Sequence, residues 1–523
     1  MVIFFSYIFA TELKSQRYQT LKINLVKVMK KVISFILVIM CLGSIHARLA
    51  LDNPRILQMD LTAAELAHYM VPGWNLGNTM EACNSNFNFT NKGGLWNENS
   101  WQSAKTTQSF ITLLKEKGFK SIRIPCGWVA GHLTNSQDMT IDAQWMARVK
   151  EIISYCLNAN LYVVINDHWD GGWLEYDGFT DQVNVDEKKK QLAKLWTNIA
   201  LELKEYDERV IFAGLNEPGV GGKSPQAVGT KLDEKTQVFA NRLLEYEQEF
   251  IDAVRATGGN NAHRVLVVQT PTTNIDIACS GTFDVTKLKD SAKDRLMVEV
   301  HFYDPYTFTM MGKDESWGKV NLYWNGHAPS NTGDRTCNTI GYNNQNVNAD
   351  TYIRNMMDKM KTNFVNQGYP VIIGEFGSNH RDVSNFSGRQ DKHEESLQYW
   401  YNWVVSSALK AGLVPFVWDT NYQGFPRMTV FNRANPAVSD TYIYKGIMEG
   451  VENGKSAFER IYPRPSEVST GIKEVSENGK SRHIRFSLYT LDGRLVNSGR
   501  EKHSTKELPS GVYVLNGRKY VVK

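Results

Sequence analysis

Between about residues 70 and 450, short apolar runs alternate with longer segments of helical period. The runs fall at 71–76, 121–126, 161–165, 210–215, 264–269, 296–302, 371–376 and 413–418. They are close to continuously apolar rather than alternating, the pattern of parallel strands buried on both faces. Between them, stretches 142–159, 187–205, 234–257, 350–366 and 391–411 carry apolar positions at helical spacing. Eight strand–helix units predict an α/β fold closed into a (β/α)8 TIM barrel. An open doubly wound sheet would call for a glycine-rich phosphate turn after the first strand. The turn Gly73-Trp74-Asn75-Leu76-Gly77-Asn78 lacks that spacing.

Four connections, 79–102, 171–186, 219–233 and 303–349, are longer than ordinary strand-to-helix loops and rich in Asn, Gly, Tyr and Trp. All follow strands, which puts them on the C-terminal face where such barrels keep their sites.

The segments flanking the barrel differ in charge. Residues 1–47 hold six Lys/Arg and one acid, and 464–523 hold twelve Lys/Arg and six acids, within a chain of formal charge +4. The intervening region is therefore acidic, which argues against a nucleic-acid or membrane-surface role for it. Lys30-Lys31, the apolar run 32–40 and small residues through Ala47 read as a signal peptide over 29–47. The first 28 residues then form an upstream extension. The domains expected are 1–47, the extension and signal; 48–462, the barrel; and 463–523, a small all-β appendix. Of the cysteines beyond the signal, Cys126 and Cys156 read as buried thiols, whereas Cys83 and Cys337, in loop-like sequence, are a candidate disulfide pair. No metal-ligand spacing is present.

Two carboxylates carry the chemical signal. Glu217 ends Phe212-Ala213-Gly214-Leu215-Asn216-Glu217-Pro218, and Glu375 lies in Val371-Ile372-Ile373-Gly374-Glu375-Phe376-Gly377. A carboxylate at the end of an apolar strand costs several kcal/mol to desolvate unless it is paired. A buried salt bridge would explain one such residue. Two, on the fourth and seventh strands, would face each other across the barrel mouth. Retaining glycosidases need such a pair, one carboxyl protonated and one ionised. Asn216 stands where it can reach a sugar 2-hydroxyl.

Asn216-Glu217-Pro218, Gly374-Glu375-Phe376-Gly377, the turn at 73–78 and Ile122-Arg123-Ile124-Pro125 together resemble glycoside hydrolase family 5, in the right order and over about residues 55–455. The resemblance implies Glu217 as acid/base and Glu375 as nucleophile, with Arg123 hydrogen-bonded to the nucleophile. It implies supporting roles for His168 at the third strand and for His301 and Tyr303 at the sixth. Trp418, at the eighth strand, would be the platform beneath the sugar at the cleavage point. Two departures touch substrate selection. Trp169 stands where many relatives carry a second histidine, and Trp96-Asn97-Glu98 only partly echoes a Trp-Gly-Asn-Pro motif. Trp96, Trp173 and Trp324 are candidate subsite platforms.

The last 60 residues resemble a different family, the C-terminal sorting domains of type IX secretion. The matching pieces are Leu488-Tyr489-Thr490-Leu491-Asp492-Gly493-Arg494, Gly511-Val512-Tyr513-Val514-Leu515 and Lys519-Tyr520-Val521-Val522-Lys523. The competing reading is a small carbohydrate-binding β-sandwich, but the segment has no Trp for a sugar platform. The expectation is a secreted or surface-held monomeric endo-β-1,4-glucanase that needs no cofactor or metal. Its partners would be a β-glucan and the type IX secretion machinery, with no nucleic acid. Xyloglucanase, mixed-linkage glucanase and β-mannanase are alternatives on the same barrel. A non-catalytic surface glycan-binding protein is the alternative of another class, and such proteins usually lose one of the two Glu.

Overall fold

The computed structural model describes residues 59–83, 94–180, 182–219, 234–330 and 335–465, together with four C-terminal strands. Eight parallel strands close the barrel: β1 (Gly73–Asn75), β2 (Ser121–Ile124), β3 (Tyr162–Asn166), β4 (Val210–Ala213), β5 (Leu266–Gln269), β6 (Leu296–Phe302), β7 (Val371–Phe376) and β8 (Leu413–Val417). Each strand pairs with the next in sequence, and β8 returns to β1. Every residue of these strands is buried, as the unbroken apolar runs require once helices cover the outside.

Each strand is followed by a helix that runs back along the barrel: α1 (Gln108–Glu116), α2 (Ala143–Asn158), α3 (Val185–Glu202), α4 (Glu234–Ala256), α5 (Ile275–Ala278), α6 (Ala349–Asn363), α7 (Gln390–Ala411) and α8 (Thr441–Ile461). Short polar side chains start them. Asp142, Asn184, Asn348 and Asp440 each accept backbone N–H bonds in the first turn of α2, α3, α6 and α8, satisfying donors that a helix leaves open. Their apolar faces join the strands in one continuous core.

The connection from β6 to α6 is the longest described and carries short strands of its own, including the hairpin Thr339–Tyr342 and Gln345–Asn348. Toward the C-terminus, Phe486–Thr490, Leu495–Gly499, Gly511–Leu515 and Arg518–Val522 form a four-stranded antiparallel sheet, with the second and fourth of these at its edges. The signal segment lies outside the described residues. Cys83 and Cys337 are both buried free thiols, as are Cys126 and Cys156. The candidate Cys83–Cys337 disulfide is therefore absent: both thiols are buried, where burial pushes each up to about 12 and keeps it protonated.

Candidate active site

Glu217, just beyond β4, and Glu375, within β7, converge on His301 of β6. A carboxylate oxygen of each and a ring nitrogen of His301 all lie within 4.8 Å of one another. The Glu375 side chain is 8% exposed and that of Glu217 26%, so one carboxylate is enclosed and the other is reached more easily from the cleft.

Arg123, fully buried on β2, organises the enclosed side. Its Nη1 donates to Glu375 Oε1 at 3.0 Å and to Asn75 Oδ1 at 3.1 Å, its Nη2 donates to Asn216 Oδ1 at 2.8 Å, and its Nε lies 3.1 Å from Glu299 Oε1. Asn75 is held in turn, because its Nδ2 donates to the carbonyls of Gly374, Phe416 and Val417. The planar guanidinium thus reads positions from β1, β4, β6 and β7 at once, which its fork of donors allows and an ammonium would not.

On the far side of Glu375, the Tyr303 hydroxyl donates to Oε2 at 3.0 Å. Burial pushes the Tyr303 phenol well up, with Glu375 and Glu217 adding to it, so it stays a neutral donor. Burial also raises Glu375 above the ordinary carboxylate value, against the opposing pull of His301 and Arg123. His301 stands between carboxylates. Its Nδ1 is 2.8 Å from Glu217 Oε1 and its Nε2 is 3.2 Å from Glu299 Oε1. Burial alone would depress this imidazole, but Glu375, Glu217 and Glu299 outweigh it and raise it to about 10. Glu299, by contrast, falls below its ordinary value: burial acts against it, yet Arg123 and His301 prevail.

His168 completes the cluster from the end of β3. Its Nδ1 accepts from Asn166 Nδ2 at 3.2 Å; that amide nitrogen also donates to the Leu215 carbonyl, which fixes its orientation. The Nε2–H of His168 then faces Glu375 Oε1 at 3.9 Å. Burial, with Arg123 and His301 nearby, pulls His168 well down, so it is neutral. The Trp418 ring lies parallel to His168 at 5.8 Å and is only partly covered. A Cβ on Gly77 would come within 2.9 Å of that indole, so the glycine in the first-strand turn is what admits the ring.

All eight residues singled out from the sequence are therefore brought together. Two of the three candidate platforms are not. Trp173 is 1% exposed, its Nε1 bonded to Asp167, and Trp324 is fully buried with its Nε1 on Asp350. Both are core anchors that point inward, and only Trp96 is exposed. The surface aromatics near the site are others. Trp101 and Tyr176 flank Trp169 with ring centroids 6.1 and 6.2 Å away. Sequence reasoning also passed over Glu299, Gln269 and Glu175. The legible signal for Glu299 was a carboxylate inside an otherwise apolar strand, the same signal that marked Glu375.

The trio Glu217, His301 and Glu375 has donors that suit a small cation. Here, however, both nitrogens of His301 face carboxylates at hydrogen-bond distance, and Arg123 already neutralises Glu375. The set is arranged for holding and moving protons.

Residues 80–424 match the family described as Cellulase (glycosyl hydrolase family 5). The chain belongs to glycosyl hydrolase family 5. It is a glycoside hydrolase on the family's (β/α)8 barrel. Endoglucanase A of Paenibacillus barcinonensis is 32% identical over 406 residues, 75% of this chain and 91% of that one. A xyloglucan-specific endo-β-1,4-glucanase of Bacteroides ovatus is 32% identical over 395 residues, 74% of this chain and 71% of that one. Among solved structures, a family 5 xyloglucan-specific β-1,4-glucanase from a ruminal metagenomic library, in complex with an oligosaccharide, is 39% identical. It covers 75% of this chain and 97% of that one, with a TM-score of 0.63.

Proposed function

We propose that the chain is an endo-β-1,4-glucanase that cleaves by double displacement with net retention. The observation that carries this is the Glu217–Glu375 separation, with carboxylate oxygens within 4.8 Å of each other. Retaining enzymes hold the two carboxyl groups about 5–5.5 Å apart, whereas inverting enzymes leave about 6.5–9.5 Å for a water.

In this reading Glu375 attacks the anomeric carbon while Arg123 and the Tyr303 hydroxyl donate to its two oxygens. Glu217, the more open carboxyl, protonates the leaving oxygen. The carboxylate it becomes is met by His301 Nδ1 at 2.8 Å, and it then takes a proton from the water that releases the sugar. Asn216 meets the 2-hydroxyl, and Trp418 supports the ring at the cleavage point.

Two endoglucanase and xyloglucanase relatives support a β-1,4-glucan backbone as substrate. The 39% identity to a xyloglucan-specific enzyme favours xyloglucan as the second reading. Proton NMR of the first product from cellotetraose or xyloglucan heptasaccharide tests the mechanism: the β-anomer is expected first, and the α-anomer would overturn it. Reducing-sugar release from carboxymethylcellulose, barley β-glucan, xyloglucan, glucomannan, galactomannan and xylan tests the substrate. Release from the glucans with little from galactomannan is expected. Silence across all six would point to the non-catalytic glycan-binding alternative.

The same reading places the enzyme outside the cell, exported by the segment at 29–47 and sorted through its C-terminal tail as a monomer. Deletion of 463–523 should leave hydrolysis intact and trap the enzyme inside the producing cell. Normal release of the truncated chain would refute the sorting role.

A further inference from the structure

Gln269, the last residue of β5, is fully buried and takes no part in the steps above. Beside it the ladder between β4 and β5 runs out. Phe212 and Ala213 pair with Leu266 and Val267, and the Gly214 N–H donates to the Val267 carbonyl at 3.1 Å. The next N–H along the chain, that of Leu215, donates instead to the side-chain Oε1 of Gln269 at 2.7 Å. Leu215 lies two residues before Glu217, and its carbonyl accepts from Asn166 Nδ2 at 3.2 Å. Both backbone groups of Leu215 are thus fixed by side chains, one from β5 and one from β3.

That first bond decides how the Gln269 amide lies. A backbone N–H can only donate, so the atom facing Leu215 is the amide oxygen. The amide nitrogen therefore faces Glu299 Oε2, to which it donates at 2.6 Å. The backbone of Gln269 is held as well, because its N–H donates to Glu247 Oε1, on α4, at 2.8 Å.

Glu299 carries the order onward. Despite its burial, Arg123 and His301 keep it ionised, so it only accepts. With Oε2 taken by Gln269, Oε1 faces His301 Nε2 at 3.2 Å, and that nitrogen carries its hydrogen toward Glu299. His301 then presents Nδ1 to Glu217 Oε1 at 2.8 Å. The contacts close into a ring. It leaves the chain at Leu215, runs through Gln269, Glu299 and His301, and returns at the side chain of Glu217.

We propose, resting on the reading of Glu217 as acid/base, that Gln269 is a positioning residue for that carboxyl, tying the chain just before Glu217 to the imidazole that faces it. Arg123 keeps its bonds to Glu375, Asn75 and Asn216 without Gln269, so the nucleophile has support of its own. A leaving group that departs poorly as an anion needs a proton delivered during cleavage, and one that departs well does not. Misplacing Glu217 should therefore slow the first kind of substrate and spare the second.

The test compares kcat/KM on phenyl β-cellobioside, whose phenolate leaves poorly, and on 2,4-dinitrophenyl β-cellobioside, whose phenolate leaves unaided. Gln269→Met, which keeps the volume without the amide, is expected to lower kcat/KM about ten- to a hundredfold on the first. On the second the loss should stay within about threefold. Equal losses on both substrates would mark a merely structural role and overturn the proposal, as would no loss on either. Should Gln269→Met not fold, Gln269→Asn, an amide one methylene too short to span both partners, answers the same question. Glu217→Ala separates the proposal from the reading beneath it. That variant should show the same split more steeply, and its absence would refute Glu217 as the acid, whatever Gln269 does.

Discussion

Glu299 Oε1 lies 3.2 Å from Nε2 of His301, and neither side chain has appreciable exposure. The same oxygen lies 3.1 Å from Arg123 Nε. The other carboxylate oxygen accepts from Gln269 Nε2 at 2.6 Å. One buried anion therefore holds both cations that serve Glu375 and Glu217. Removing its charge leaves Arg123 with Glu375 and His301 with Glu217 but takes a buried counter-charge from both cations, and breaking a buried pair costs about 3–5 kcal/mol. Glu299→Gln should lower stability by several kcal/mol in urea titrations. It should also cut kcat at least tenfold at temperatures where the variant is still folded. A variant of wild-type stability and rate would show that Arg123 and His301 need no such support.

His301 gives the pH dependence of stability a sign. Its folded-state value, about 10, stands above its ordinary 6.5 because three carboxylates surround it. A group raised on folding contributes stability that is fully present below its unfolded value and is lost as pH rises through the folded one. Unfolding free energy should therefore decline between pH 6.5 and about 10, and His301→Gln should flatten that decline. Parallel slopes for variant and wild type would assign the dependence to other groups.

The sequence made the barrel legible because its strands are buried on both faces and so leave unbroken apolar runs. The runs at 296–302 and 371–376 coincide with β6 and β7. At the first strand the expected 71–76 contracts to Gly73–Asn75, since Pro72 has no N–H to give to a ladder. The carboxylate pair was legible for a related reason: charge at the end of an apolar run demands an explanation. What stayed hidden was direction and long-range partnership. Trp173 and Trp324 sit in loop-like sequence on the active-site side, yet their indole N–H groups are claimed by Asp167 and Asp350, and nothing local announces that. Glu299 takes its meaning from Arg123, which comes from a strand far away in sequence.

Gly374 should tolerate no side chain. A Cβ there would collide with the Glu299 carboxylate, whose Oε1, Cδ and Cγ all crowd the position. Glu299 cannot retreat without leaving Arg123 and His301. Overpacking a core of this kind costs about 1–3 kcal/mol, and here the strain falls on the residue before Glu375. Gly374→Ala should therefore lose more activity than its loss of stability explains, with turnover reduced at least tenfold in samples that circular dichroism shows to be folded. An active, fully stable Gly374→Ala would mean that β7 can shift away without disturbing the charge cluster.

Trp169 follows His168 directly, just beyond β3. Its ring is half-buried between Trp101 and Tyr176, and those two are 43% and 37% exposed. Together they form an aromatic wall that begins beside His168. Trp101 is anchored by its Nε1, which donates to the Cys83 carbonyl at 3.1 Å, so its face is presented without much freedom. Indole faces stack on sugar rings, and a platform remote from the reacting carbon holds ground state and transition state alike. Trp101→Ala should accordingly raise KM for a polymeric glucan by about tenfold, as loss of roughly 1.4 kcal/mol of uniform binding would, while kcat stays within about twofold. Hydrolysis of 2,4-dinitrophenyl β-cellobioside, too short to occupy a distant platform, should change little. A fall in kcat on that short substrate would instead place Trp101 next to the bond being broken.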